Sequence, residues 1–436
     1  MKRRLLTLIG GIGVDEDRCI GCGNCEAVCP GNYELLCRGI EGRGTLVVRN
    51  GVASFVSAEC CRRDIPESAC RQCYDACPMR AVIYPDSEGF QRLEAEIINA
   101  GKCTGCGACA AVCPDKIIEI NEYPILRGEC INCGFCLVHC PSMRRASTKG
   151  EISLIDEPLG EYRKLVAARA SAARIASVAQ DGGIVTALLT YALRKGIIDA
   201  AVVAVNSSQP WKPVPLIAST EEEIIAGAGT KYTNSPTLAA LKKARESGFK
   251  KLGIVTLPCQ SRALQRLETS ELGRELMDIV ALNISLFCKA NLHYAGILEL
   301  SQKYGFSLNE VKKFAIKGKS LYVTTPAGVV DIPLKEALRY CRPACKCCAD
   351  FTSVHADISV GAVGSPKEFS TVIIRTRKAE EIFENMVKEG IIEVKEVNDK
   401  GFSLLMKLAA QKSKNTQNLS EPGKVVAMMR AGGGGH

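Results

Sequence analysis

The spacing of cysteine constrains this chain more than any other feature. Of 24 cysteines in 436 residues, 18 fall before residue 141, in runs with two or three residues between neighbours. Disulfide frameworks belong to small secreted domains. Runs this tight bring several thiolates to one point and suit metal instead, which implies a reducing, anaerobic cytoplasm. Residues 19–30 read CIGCGNCEAVCP and residues 103–114 read CTGCGACAAVCP, agreeing at nine of twelve positions at a separation of 84. That is an internal repeat, and each copy is followed by a second cysteine run.

The pattern C-x2-C-x2-C-x3-C-P is the bacterial ferredoxin run. Its three close thiolates take three corners of one [4Fe–4S] cube, and the cysteine before proline reaches the neighbouring cube. In the second copy the spacing assigns Cys103, Cys106, Cys109 and Cys140 to one cluster, and Cys130, Cys133, Cys136 and Cys113 to the other. In the first copy Cys19, Cys22 and Cys25 join Cys77. The partner cluster takes Cys70, Cys73 and Cys29, with a displaced ligand upstream that is either Cys60 or Cys61; Cys61 is favoured. Structural zinc would want four ligands in a closed tetrahedral set, which these paired runs do not offer. Cys37 has no role in this scheme. His139, between two ligands, reads as a partly exposed histidine, with a hydrogen bond to a cluster as the alternative.

The opening residues MKRRLLTLIGGIGV resemble a short secretory signal, but no small-residue cleavage site follows and the apolar run is too short to span a bilayer. They read as the first strand of the ferredoxin module, and no integral membrane segment is expected elsewhere. The formal charge of +9 does not imply nucleic-acid binding. Each cluster with four thiolates carries about −2, so clusters held on these runs would bring the loaded protein toward neutrality. Basic stretches such as Lys242–Lys251 read as solvated helix faces.

After a charged connector, roughly Arg144–Arg163, the pattern changes. Helix is predicted at Ile184–Lys195, ended by Gly196, at Thr237–Glu246 and at Arg262–Glu268. Apolar strands are predicted at Ala200–Val205, Lys251–Leu257 and Ile279–Phe287. Alternating helices and continuous apolar strands suggest a largely parallel sheet covered on both faces. Ser320–Thr325 and Gly328–Ile332 read as a hairpin. Cys259 and Cys288 follow two of the strands, at the edge where doubly wound sheets bind ligands. Cys341, Cys345 and Cys348 satisfy C-x3-C-x2-C, but so late in the chain that a radical-forming barrel is not expected.

The segments DGGIVTALLTYALRKGIIDAAVV, GTKYTNSPTLAALKKA, VTLPCQSRAL, LFC and CRPACKCCADFTSVHADISVGAVGS occur in order over about residues 160–380. Together they resemble the family of beta subunits of coenzyme F420-reducing hydrogenases and F420-dependent dehydrogenases. The resemblance implies an α/β flavin- and F420-binding domain preceded by two α+β bacterial-ferredoxin-like modules. The expected divisions are a module at 1–97, a module at 98–150, the F420 reductase domain at 160–380, and a C-terminal extension with a disordered tail at 381–436. It implies FAD, coenzyme F420 as substrate, and a fifth [4Fe–4S] cluster on Cys259, Cys288, Cys345 and Cys348; the extra thiols Cys341 and Cys347 leave that set open. Asp181, Gly182, Gly183 and Thr186 open a helix whose free amides suit a flavin phosphate, and Lys231 and Tyr232 of GTKYT are expected against the flavin. Hydride transfer is borne by the cofactors, so no catalytic side chain is expected.

The implied function is an F420 oxidoreductase subunit working with a redox partner: formylmethanofuran dehydrogenase, heterodisulfide reductase, formate dehydrogenase or hydrogenase subunits, or ferredoxin. The alternative is a non-catalytic polyferredoxin connector that lacks flavin.

Overall fold

The computed structural model describes residues 13–14, 19–29, 32, 46–49, 51–55, 73, 76–78, 82–83, 89–130, 134–143, 157–268 and 271–414. Cys37, Cys60, Cys61, Cys70 and Cys133, most of the 144–163 connector and the tail expected to be disordered lie outside them. Of the opening segment, Gly13–Val14 is strand and pairs antiparallel with Val82–Ile83.

Both copies of the repeat fold alike. A loop wraps through left-handed glycines, Gly21 and Gly23 in the first and Gly105 and Gly107 in the second. A single helical turn follows, Asn24–Ala27 or Ala108–Ala111. Only glycine takes such a φ without a Cβ penalty, and two in succession turn the backbone around the thiols. An antiparallel ribbon lies beside each loop: Leu46–Arg49 with Val52–Phe55, and Ile118–Asn121 with Tyr123–Leu126. The helical stretch Gly89–Ile98 belongs to the second module, because Phe90, Leu93 and Ile97 pack against Cys103, Cys109, Cys136 and Cys140. The physical division therefore falls before residue 89 instead of at 97.

The large domain is an eight-stranded sheet. Its spatial order is Ile392–Lys395, Lys164–Ala170, Ser370–Ile374, Ile358–Gly361, Val280–Leu286, Leu252–Thr256, Ala200–Asn206 and Pro213–Ala218. Four adjacent strands, 358–361, 280–286, 252–256 and 200–206, run parallel. The four flanking strands join antiparallel. The sheet is thus mixed, correcting the largely parallel expectation: continuous apolar runs report burial on both faces, not strand direction. The Ile184–Arg194 helix, closed by Gly196 in the left-handed region, packs its Leu188 and Leu189 into the main core. A three-stranded antiparallel sheet, 313–317, 320–325 and 328–333, contains the expected hairpin. Strand Ile392–Lys395 hydrogen-bonds to Lys164–Ala170, so the domain continues past residue 380, through the helix Asp399–Lys414.

The second ferredoxin module is docked on this domain, and its cysteine loops supply the acceptors. The carbonyl of Cys106 accepts from the Leu238 amide at 3.1 Å, and that of Gly105 from Asn234 Nδ2 at 2.7 Å. The carbonyl of Cys113 accepts from Lys242 Nζ at 2.6 Å, and that of Cys140 from Arg266 Nη2 at 3.1 Å. Lys242 is therefore a docking residue and not a solvated face. Between these bonds lies a seam of small side chains, Ala108, Ala111 and Val112 against Leu238, Leu241, Ala244 and Ala263.

Candidate redox centres and cofactor cleft

Two cavities lie inside the cysteine loops. One is lined by Cys19, Cys22, Cys25 and Cys77, with Gly21, Val48 and Ala53. The other is lined by Cys103, Cys106, Cys109 and Cys140, with Leu93, Ile97 and Pro124. In each, three cysteines come from one run and the fourth from a distant proline-preceding cysteine. Backbone amides point at the sulfurs; Ala53 N–H donates to Cys19 Sγ at 3.4 Å. Burial pushes the thiols of Cys25 and Cys103 up to about 11 and that of Cys140 to about 12. Cys113, Cys130 and Cys136 line the second module's core beyond. Among the described residues no group of His, Cys, Asp and Glu is arranged to hold a single metal ion. His139 is fully buried, not partly exposed, and its Nδ1 lies 2.8 Å from the carbonyl of Phe135; the tight helical turn between Cys136 and Cys140 carries it inward.

A third gathering of thiols forms at the carboxyl ends of the parallel strands. Cys259 lies in the first turn of helix Pro258–Leu267, directly after strand Leu252–Thr256. Cys288 follows strand Val280–Leu286, and Cys345 and Cys348 come from the 343–348 turn. Cys259 faces Cys348, Cys288 and Cys345, and also Cys106 of the docked module. Burial raises the Cys259 thiol and pushes that of Cys288 up to about 12. The Asn291 amide donates to Cys345 Sγ at 3.3 Å. Cys341 hydrogen-bonds with Cys345, and the bond holds its own thiol below the usual range. Such a set fits a cuboidal iron–sulfur cluster. The donors are soft thiols, Cys348 buried and Cys259, Cys288 and Cys345 partly so, and would shed protons on binding metal.

The residues expected to hold flavin lie where three segments meet. Gln180 links them: its Nε2 donates to the Phe314 carbonyl, its Oε1 accepts from the Thr230 amide, and its carbonyl accepts from Lys313 Nζ at 2.7 Å. Burial raises the Asp181 carboxyl, opposed by Lys313 and Lys317. Gly183 caps the 184–194 helix in the left-handed region with no side-chain cap, leaving its first amides without intrahelical acceptors. That uncapped, cation-flanked end suits a phosphate. Gly182 has another task. Its amide donates to Ser370 Oγ at 3.0 Å, and a Cβ there would meet the Ala168 carbonyl at 2.4 Å. Thr186 is buried in the helix's first turn. Lys231 turns back on its own loop, donating to the carbonyls of Gly227 and Ala228 at 2.8 Å each, and burial lowers it to about 8. Tyr232 Oη accepts from the Ile316 amide at 3.2 Å.

Two buried groups were not anticipated from the sequence. Arg342 is 1% exposed and bridges the large domain and the second ferredoxin module. It donates to Glu122 Oε2 at 2.9 Å and to the Glu122 carbonyl at 2.8 Å, stacks 4.6 Å from the Tyr123 ring centre, and faces the Cys103 thiol. His293 completes the cluster, with Nδ1 3.2 Å from Glu122 Oε2. Lys412 is the other. The sole sequence signal for Arg342 was its place inside CRPAC, between Cys341 and Cys345.

Ferredoxin modules docked on a mixed α/β domain with its own thiol cradle define an iron–sulfur oxidoreductase component. Family models agree along the chain: a 4Fe-4S binding domain at residues 12–36 and 4Fe-4S dicluster domains at 68–117 and 95–141. The N-terminal and C-terminal models of the coenzyme F420 hydrogenase/dehydrogenase beta subunit match 165–242 and 249–400. The chain is 41% identical over 264 residues to the coenzyme F420 hydrogenase subunit beta of Methanothermobacter thermautotrophicus, covering 59% of this chain and 94% of that one. It is 30% identical over 337 residues to an F(420)H(2) dehydrogenase subunit of Methanosarcina mazei, covering 75% and 94%. In a solved structure of the F420-reducing [NiFe] hydrogenase complex from Methanosarcina barkeri, one chain matches with TM-score 0.58 and 39% identity, covering 60% of this chain and 92% of that one. The chain belongs to the family of coenzyme F420 hydrogenase/dehydrogenase beta subunits, here carrying ferredoxin 4Fe–4S domains ahead of the family domain. No helix among the described residues is long and apolar enough to cross a membrane.

Proposed function

We propose that this chain exchanges a hydride with coenzyme F420 at its large domain and single electrons with a partner redox protein through its ferredoxin modules. A bound FAD would supply the conversion between hydride and single-electron chemistry, which a deazaflavin and an iron–sulfur cluster cannot perform directly on each other. The residues that would hold it are the amides after Gly183, with Asp181, Thr186, Lys231 and Tyr232 around them. Gly182 would act by letting the helix end approach the sheet. Cys259, Cys288, Cys345 and Cys348 would hold the fifth cluster, and the sixteen ferredoxin cysteines the other four, with Cys61 as the displaced ligand. The protein's own contribution is to bind, orient and exclude water.

The observation that carries this reading is the meeting of Cys259 with Cys288, Cys345 and Cys348, with Cys106 of the docked module alongside. A thiol cradle at a strand-end cleft, abutting a ferredoxin loop, suits electron passage between domains and has no use in a docking scaffold. Partner candidates are formylmethanofuran dehydrogenase, heterodisulfide reductase, formate dehydrogenase or hydrogenase subunits, or free ferredoxin, in the cytoplasm. The test is anaerobic purification with iron and flavin quantified, then F420 turnover against a one-electron dye. The expected result is about twenty irons, from five four-iron clusters, with one FAD and dye-linked turnover. About sixteen irons, no flavin and no turnover would favour the polyferredoxin connector.

A further inference from the structure

The last helix among the described residues, Asp399–Lys414, begins where the family match ends, at residue 400, and carries a lysine into the interior. Lys412 is 5% exposed. Its Nζ donates to the carbonyl of Cys288, and the charged or ionisable groups facing it are Cys348, Cys288 and Cys345, with Asp350 beside them. Asp350 is already engaged: its carboxylate oxygens accept from the amides of Ser353 at 2.7 Å and Val354 at 3.0 Å, and Arg375 faces it. Among the described residues no carboxylate forms a direct ion pair with Lys412. A buried ammonium without a counter-ion is strongly unfavourable, and protonated thiols supply none. Four thiolates around an iron–sulfur core, at about −2 overall, would.

We infer that Lys412 is the fixed counter-cation of the Cys259, Cys288, Cys345 and Cys348 cradle and raises the reduction potential of the cluster held there. The inference rests on the proposed fifth cluster. Reduction adds one electron to the core, deepens its negative charge by one and needs no proton. A cation held in a poorly polarisable interior stabilises the reduced form more than the oxidised form. Lys412 is thus a positioning residue for charge, placed so that the first iron–sulfur centre beyond the hydride site accepts electrons readily.

The test uses the full holoprotein, purified anaerobically. The fifth cluster's paramagnetic signal is identified as the one that Cys345→Ala abolishes, and its midpoint potential is measured in wild type and in Lys412→Met, Lys412→Gln and Lys412→Arg. At the wild-type midpoint the reduced-to-oxidised ratio should fall about tenfold in the Met and Gln variants, equivalent to about 59 mV for a one-electron couple. Lys412→Arg should stay within about twofold. Loss of the signal in Met and Gln but not Arg would equally support a charge role. An unchanged midpoint in Met or Gln would overturn the inference, as would loss in all three variants, which would mark Lys412 as packing alone. A wild-type protein with no Cys345-dependent signal would instead sink the fifth-cluster reading itself.

Discussion

The two copies of the ferredoxin repeat share sequence and local fold, yet among the described residues the first leaves the outer face of its loop exposed and the second has that face docked. In the first copy Cys22 is exposed, Ile20 is 62% exposed, and a Cβ on Gly23 would meet nothing within 4 Å among the described residues. At the equivalent place in the second copy, a Cβ on Gly107 would lie 2.6 Å from Ala239 N and 2.7 Å from the Pro236 carbonyl. The same loop thus does two jobs. Both copies wrap thiols; among the described residues it is the second that turns its outer face into a docking surface, with its carbonyls received by Leu238, Asn234, Lys242 and Arg266. An exposed cluster loop suits exchange with an outside partner, and a docked one suits exchange within the chain.

The largest expected effect breaks that contrast at the thiols. Cys106→Ala should slow reduction of the remaining ferredoxin centres by reduced F420 on the order of 100-fold or more, while Cys22→Ala leaves the docked pair reducing at the wild-type rate. Stopped-flow bleaching of the iron–sulfur absorbance distinguishes the two, and equal losses would refute an ordered route. Next comes the buried charge beneath the docked loop. Glu122→Gln strands Arg342 without its carboxylate and should cost about 3–5 kcal/mol, read from denaturant unfolding of the holoprotein. Glu26, whose Oε2 accepts from the Val48 amide in the first module, should cost only about 1 kcal/mol as Glu26→Gln.

A paired glycine substitution sharpens the comparison further. Gly23→Ala and Gly107→Ala both force alanine into the left-handed region, at about 1 kcal/mol each. Gly107→Ala also drives a methyl into backbone across the interface, so its cost should exceed the other by about 2 kcal/mol. Equal losses in thermal unfolding would mean that the docking face is looser than described. The smallest effect concerns Lys231. Lys231 falls from its ordinary 10.5 to about 8 on burial, so above pH 8 the unfolded chain binds the extra proton and stability rises with pH until about 10.5. After screening, the rise should be about 1 kcal/mol, and Lys231→Met should flatten it in unfolding curves across that window.

The readable and unreadable parts divide along physical lines. Cys103, Cys106 and Cys109 were legible because their ligand geometry closes within seven residues, where backbone stereochemistry leaves little choice. The placement of Cys259 and Cys288 after strands was legible because both strands are short apolar runs with sharp ends. Strand direction was not, since a strand buried on both faces reads alike whether parallel or antiparallel, and the sheet proved mixed. Nor was the reach of the domain past residue 380, because an edge strand such as Ile392–Lys395 is half polar and declares its partner only through hydrogen bonds. Lys242 read as solvated because a lysine on a helix gives no sign that carbonyls will meet it.

What the sequence determined alone is the cysteine runs and their glycine-wrapped loops, consequences of short-range spacing and stereochemistry, and, through the resemblance of its ordered motifs, the family to which the large domain belongs. Tertiary structure alone decided that the second repeat docks on the large domain. It also decided that Gly182 serves packing, and that Arg342 and Lys412 are drawn from distant segments to buried thiols. These depend on which surfaces exclude water from one another, and burial makes a charge, a glycine or a carbonyl matter in ways that no local pattern records.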